Sequence, residues 1–168
     1  MFTLAIISLS LFALNLALCF HKWGIVESYS RYGLDYERAK VKGQLNQWSM
    51  LTILSALTMI PPCIELGEGS ALQCLCFLVP LNLLIVGFTP DFEKSRKIET
   101  IHTIAGALAG LGCIVLAILV YHNWAVLIAC ISFMAGVGLG NNSLKSCYTL
   151  WLELAAYLYV YWTLIAGV

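Results

Sequence analysis

Residues 77–110 read FLVPLNLLIVGFTPDFEKSRKIETIHTIAGALAG, and the way this stretch divides decides the fold class. An apolar run interrupted by Pro80 and Asn82 gives way at Thr89-Pro90-Asp91 to a short charged hairpin, and a second apolar run opens on His102. Apolar runs of this length suit helices that cross a hydrocarbon layer of about 30 Å, and a short connection makes the two helices antiparallel neighbours. An ionisable group at the mouth of such a helix is costly unless it faces protein or water, so His102 is a candidate functional residue.

The flanking chain repeats the pattern. Of 168 residues, 61% are hydrophobic and 11% charged, which separates the chain from soluble domains, where about 25% are charged. Apolar blocks predict six spans at about 1–20, 48–64, 71–88, 101–121, 125–140 and 151–168, in one domain: an all-α, polytopic transmembrane bundle of six helices. The first block has neither a charged n-region nor a cleavage pattern, and is expected to be a retained span. Between the first two spans lies a polar segment rich in Trp and Tyr, which suits the headgroup region. A short helix is expected there at 35–42, ended by Gly43. Pro61-Pro62 is expected to stop the second span, and Pro80 to kink the third.

Gly106 and Gly110 form a small-xxx-small pair on the face that carries His102, and a second glycine series, Gly136, Gly138 and Gly140, closes the fifth span. These series are expected to let neighbouring helices approach closely. On the sixth span Glu153, Tyr157 and Tyr161 fall along one stripe.

Threading six spans puts all nine basic residues, Lys22, Arg31, Arg38, Lys40, Lys42, Lys94, Arg96, Lys97 and Lys145, on one side. The positive-inside rule makes that side cytoplasmic and leaves both termini outside. Net charge is zero and no basic stripe is interleaved with aromatics, which excludes nucleic acid as a partner. The seven cysteines lie mostly in apolar blocks and read as small buried hydrophobes. A Cys63 to Cys74 bridge stays open for the case in which their loop faces an oxidising compartment.

The same threading gathers His21, Asn82, Asp91, Glu99, His102, Asn141 and Glu153 into one polar layer at the cytoplasmic helix ends. Either these are interface residues, each solvated, or they form a pocket. His102 and Glu153 sit inside the spans and favour the pocket. The ligand-binding candidates are His102, Glu153, Asn82, Asp91, His21 and Tyr157. A catalytic zinc needs three converging ligands, and His122 lies a whole span away from His102, so neither metal nor cofactor is expected. No nucleophile motif of the GxSxG type occurs, and GVGLGN follows a helix, not a strand, so no catalytic residue is assigned.

The order GIVESYSRYG, a Trp before the second span, a proline near its end, FLVPLNLLIVGFTPDF, a charged hairpin and IHTIAG resembles a group of small bacterial multi-pass membrane proteins of Bacteroidetes type. More distantly it is similar to the six-helix Frag/DRAM/Sfk-like families. The features shared with them are Ser28 with Tyr29, the Thr89-Pro90-Asp91-Phe92 turn and His102. The resemblance implies a bacterial inner-membrane protein associated with membrane lipids or their remodelling. Three classes follow: a protein that binds a lipid headgroup or small solute without catalysis, a proton-coupled transporter component using His102 and Glu153, or a lipid-modifying enzyme. The expected partners are membrane lipids, a small-molecule ligand and further copies of the chain. In intact cells an impermeant thiol reagent is expected to reach Cys63 and not Cys147, and the opposite result would invert the topology.

Overall fold

A computed structural model describes residues 2–42, 44–69, 71, 73–121 and 147–166. The expected fifth span at 125–140, with its glycine series, and His122 and Asn141 lie outside the described residues. Among the described residues there are six helices, α1 (Phe2–Trp23), α2 (Tyr29–Ala39), α3 (Gln47–Leu66), α4 (Gln73–Phe88), α5 (Arg96–Tyr121) and α6 (Tyr148–Ala166), with one 3-10 turn at Phe92–Lys94. Among the described residues all regular structure is helical. Two helices among the described residues, α1 and α3, are long and apolar enough to cross a membrane, with mean hydropathies of 2.2 and 1.5.

Five helices pack in a circuit. α3 lies against α1 and α4, α4 against α5, α5 against α6, and α6 returns to α1. The buried face of α1 is Ala5, Ser8, Phe12, Asn15 and Cys19, a three-four spacing that keeps one stripe turned inward over the whole helix. α3 answers with Trp48, Thr52, Ser55, Met59 and Pro62 at the same spacing. α2 packs on α3 and α6. It buries Tyr29, Tyr32, Gly33 and Tyr36, and it leaves its charged face outside.

Two expectations need correction. The helix in the polar segment begins at Tyr29, six residues before the expected start, because the Ser28 hydroxyl accepts the Arg31 N–H at 3.2 Å and caps it. α3 does not stop at Pro61-Pro62 but runs on to Leu66. Pro62 and Cys63 continue its buried face, and that burial offsets the two donors the prolines lack. The helix ends instead at Gly67, whose N–H reaches the Cys63 and Ile64 carbonyls and where a Cβ would lie 2.7 Å from the Gln73 Cα.

The close packing expected at Gly106 and Gly110 has its partner, the glycine series of the fifth span, outside the described residues. Among the described residues a Cβ at Gly106 would meet only Val86 at 4.0 Å, and one at Gly110 would meet nothing within 4 Å. The close approach of α4 and α5 falls at Gly112, where a Cβ would lie 2.9 Å from Val79. Cys63 and Cys74 are both free thiols, Cys63 buried and Cys74 exposed.

At Gly33 a Cβ would come within 2.6 Å of the Trp48 ring. The Gly33→Ala variant should therefore lose about 1–3 kcal/mol through overpacking against a rigid indole. Gly110→Ala, where an added Cβ meets nothing within 4 Å among the described residues, should be neutral or stabilising by up to about 1 kcal/mol through helix propensity. Thermal unfolding midpoints of the purified full chain read both, and equal effects at the two positions would contradict this packing.

Candidate functional site

The interior is held by two polar clusters, one that bridges α1, α2 and α3 and one that bridges α1, α3 and α6. In the first, the Asn15 Nδ2 lies 2.8 Å from the Tyr29 hydroxyl, 3.0 Å from Thr52 Oγ1 and 3.2 Å from the Trp48 carbonyl. The Cys19 thiol donates to its Oδ1 at 3.7 Å. In the second, Ser8 Oγ donates to the Ser55 carbonyl at 2.7 Å, Ser55 Oγ donates to the Ser8 carbonyl at 3.0 Å, and the Tyr161 hydroxyl sits 2.9 and 2.7 Å from the two serine oxygens. Phe12 lies between them, its ring 5.3–5.7 Å from those of Tyr29, Tyr157 and Tyr161. Buried polar groups of this kind are stabilising only when their partners are present, and here they are.

These contacts seat α2 across one end of the bundle. Burial pushes the Tyr29 phenol up, so it stays protonated in its cluster. Burial likewise holds the Tyr32 phenol at about 12, and it donates to the Gly24 carbonyl at 2.6 Å. The starts of α2 and α6 then secure each other. The Leu150 N–H donates to the Glu27 carbonyl at 3.1 Å, and the Tyr29 N–H donates to Glu153 Oε2 at 2.6 Å. A carboxylate at a helix N-terminus also complements the helix dipole. On the outer face Arg31 pairs with Glu27, Asp35 and Glu93, and Arg38 pairs with Glu93, which ties α2 to the 3-10 turn. Pairs as exposed as these contribute up to about 1 kcal/mol each.

Beside this junction is a cavity of about 490 Å³ between α5 and α6. Ser28 and Ser30 from the start of α2, Glu99, His102 and Thr103 from the start of α5, and Thr149 and Glu153 from the start of α6 line it. Farther along the same two helices its wall is Gly106, Ala107, Gly110, Leu111, Leu152 and Ala156. Gly106 and Gly110 thus line this cavity, and among the described residues no helix comes into close contact with them. His102 is 5% exposed. Its Nδ1 lies 2.8 Å from Thr89 Oγ1, its ring stacks on Phe92 at 4.5 Å, and its Nε2 has no hydrogen-bond partner among the described residues.

Of the residues singled out in the sequence, His102 and Glu153 line this cavity together. Asn82 is buried, but its amide donates to the Leu78 carbonyl of its own helix at 2.8 Å. Asp91 borders a separate groove of about 480 Å³ with Lys40, Ser49 and Lys94. His21 is exposed in the last turn of α1, and Tyr157 belongs to the aromatic interior. Sequence reasoning missed Asn15, Ser8, Thr52 and Ser55. Asn15 had a signal, an amide in the middle of an apolar block, which needs partners wherever water is excluded.

No family model matches the chain, and no curated protein or solved structure matches it.

Removing the Glu153 carboxylate leaves the Tyr29 N–H without its acceptor. Glu153→Ala should cost about 1–3 kcal/mol, the usual penalty of an unsatisfied buried donor. Glu153→Gln keeps an acceptor oxygen and should cost less than half as much. A chemical or thermal unfolding series that ranks the two equally would contradict the capping role.

Proposed function

We propose that this chain is a small integral membrane protein with six spans, and that it binds an amphiphile, a lipid or a solute with a polar head and an apolar body, in the cavity between α5 and α6 without catalysis. The observation that carries the reading is the gradient along that cavity. Its polar residues come from three helix starts, and its wall turns apolar one turn farther along α5 and α6. A head at the Glu99, His102 and Glu153 end would find hydrogen-bonding groups, while a tail would lie along Gly110, Leu111 and Ala156. Such division is usual in ligand sites, where a few polar groups orient a molecule held mainly by apolar contact.

The membrane part rests on separate support. Large apolar side chains are exposed on every long helix, among them Ile6, Leu14, Leu54, Leu57, Ile104, Leu108, Leu111, Leu158 and Trp162. A surface of that kind is unfavourable in water and ordinary against lipid. The charge asymmetry of the sequence supports an orientation with the cavity's polar end toward the cytoplasm and both termini outside, and the bacterial inner membrane is what the resemblance implies.

Mass spectrometry of the protein extracted from its membrane tests the binding reading. An amphiphile should copurify at near-equal molar ratio and be lost from Gly110→Trp, which fills the cavity. Retention by that variant, or absence from both proteins, would overturn it. Topology is read from single-cysteine variants. Because Cys63 is buried, the exposed Cys74 takes its place as the outer reporter. Impermeant reagent should label Cys74 and spare Cys147 in intact cells, and the reverse pattern would overturn the orientation.

A further inference from the structure

We infer that the head this cavity accepts is a positively charged hydrogen-bond donor, an alkylammonium; the inference rests on the binding reading above and narrows its ligand class. It follows from which polar groups at the cavity are already engaged. A hydroxyl has one proton, and the Thr89 hydroxyl gives its proton to the Ile85 carbonyl at 2.8 Å. Toward His102 the same oxygen therefore accepts, and the imidazole proton sits on Nδ1. In the neutral ring this leaves Nε2 as a lone-pair acceptor. It is buried, belongs to a cavity-lining side chain, and is without a partner among the described residues.

Two carboxylates add to this acceptor. Glu153 uses Oε2 for the Tyr29 N–H, and among the described residues its Oε1 makes no hydrogen bond. Glu99 adds a second carboxylate to the lining. Several backbone donors that could attract an anion are already engaged. At the start of α2 the Tyr29 and Arg31 N–H groups go to Glu153 and Ser28, at α6 the Leu150 N–H goes to Glu27, and at α5 the Ile98 and Glu99 N–H groups go to Ser95. No Lys or Arg is among the described lining residues, and the nearby Arg31 is held by Glu27, Asp35 and Glu93. The Ser30, Thr103 and Thr149 hydroxyls on the lining can donate as well as accept, so the choice between heads rests on charge: the two carboxylates suit an ammonium group, whose protons make charge-assisted hydrogen bonds to them. A phosphate head would meet two carboxylates and no Lys or Arg among the described lining residues.

Binding of matched probes to the full chain in phosphatidylcholine nanodiscs, measured against empty discs, tests this. Dodecylamine should bind about tenfold or more tighter than dodecanol and dodecyl phosphate, the ratio expected for one charge-assisted contact. The doubly substituted Glu99→Gln, Glu153→Gln protein, which keeps the Tyr29 cap, should bring dodecylamine to within about threefold of dodecanol, a difference below 1 kcal/mol. If the phosphate probe binds as well as the amine, or if the double variant keeps the full preference, the ammonium inference is overturned. Equal binding of all three probes overturns the inference while the amphiphile cavity stands, and failure of all three to bind overturns both. Ethanolamine, the head without the tail, should bind far more weakly than dodecylamine, and equal affinity would leave the ammonium and remove the amphiphile.

Discussion

The side-chain amide of Asn15 is the point on which the arrangement depends. From the middle of α1 it reaches the Trp48 carbonyl and Thr52 on α3 and the Tyr29 hydroxyl at the start of α2. An amide buried there costs several kilocalories if it is left bare, so this position forces three elements to meet at one place. With Tyr29 so held, its backbone N–H is delivered to Glu153, and the start of α6 is drawn to Glu27. The polar end of the cavity is a consequence of that docking, because Ser28 and Ser30 reach it only when α2 is seated.

Small residues play a second part. Gly33, Gly67 and Gly112 mark real close approaches, where a single added carbon would strike Trp48, Gln73 or Val79. Gly106 and Gly110 have the familiar spacing of a helix contact, and among the described residues they line the cavity. Among the described residues the same residue type thus lies both on the tight side of α5 toward α4 and on its cavity-lining side. Spacing alone cannot distinguish the two, since it reports the absence of a side chain and not what occupies the space.

Much of the architecture was legible because apolar block length is a strong signal. Each block among the described residues became a helix with ends close to those expected. The meeting of His102 and Glu153 at one cavity was legible as well, since each is an ionisable residue near the start of an apolar helix on its small or polar face. What stayed hidden depended on partners distant in the chain. The Ser28 cap on Arg31 was hidden because the helix was expected to start only at residue 35, and Tyr29, Tyr32 and Tyr36 were read as aromatics at an interface instead of a buried helix face. Pro61-Pro62 looked like a stop because a proline's missing donor is a local fact, whereas the burial of Pro62 and Cys63 that carries α3 past it is not. Asn82 looked like a site residue and is satisfied within its own helix.

The central claim is that the space between α5 and α6 is a ligand site distinct from the general apolar surface. Photo-crosslinking in the native membrane tests it most directly, with a benzoyl-phenylalanine placed at Leu152 on the cavity wall and, separately, at Leu158 on the exposed face of α6. The account predicts one dominant adduct mass at position 152, bearing an amine, and at position 158 a spread of masses that follows the bulk lipids of that membrane. Adducts at 152 that match those at 158, or none at 152 while 158 reacts, would contradict it.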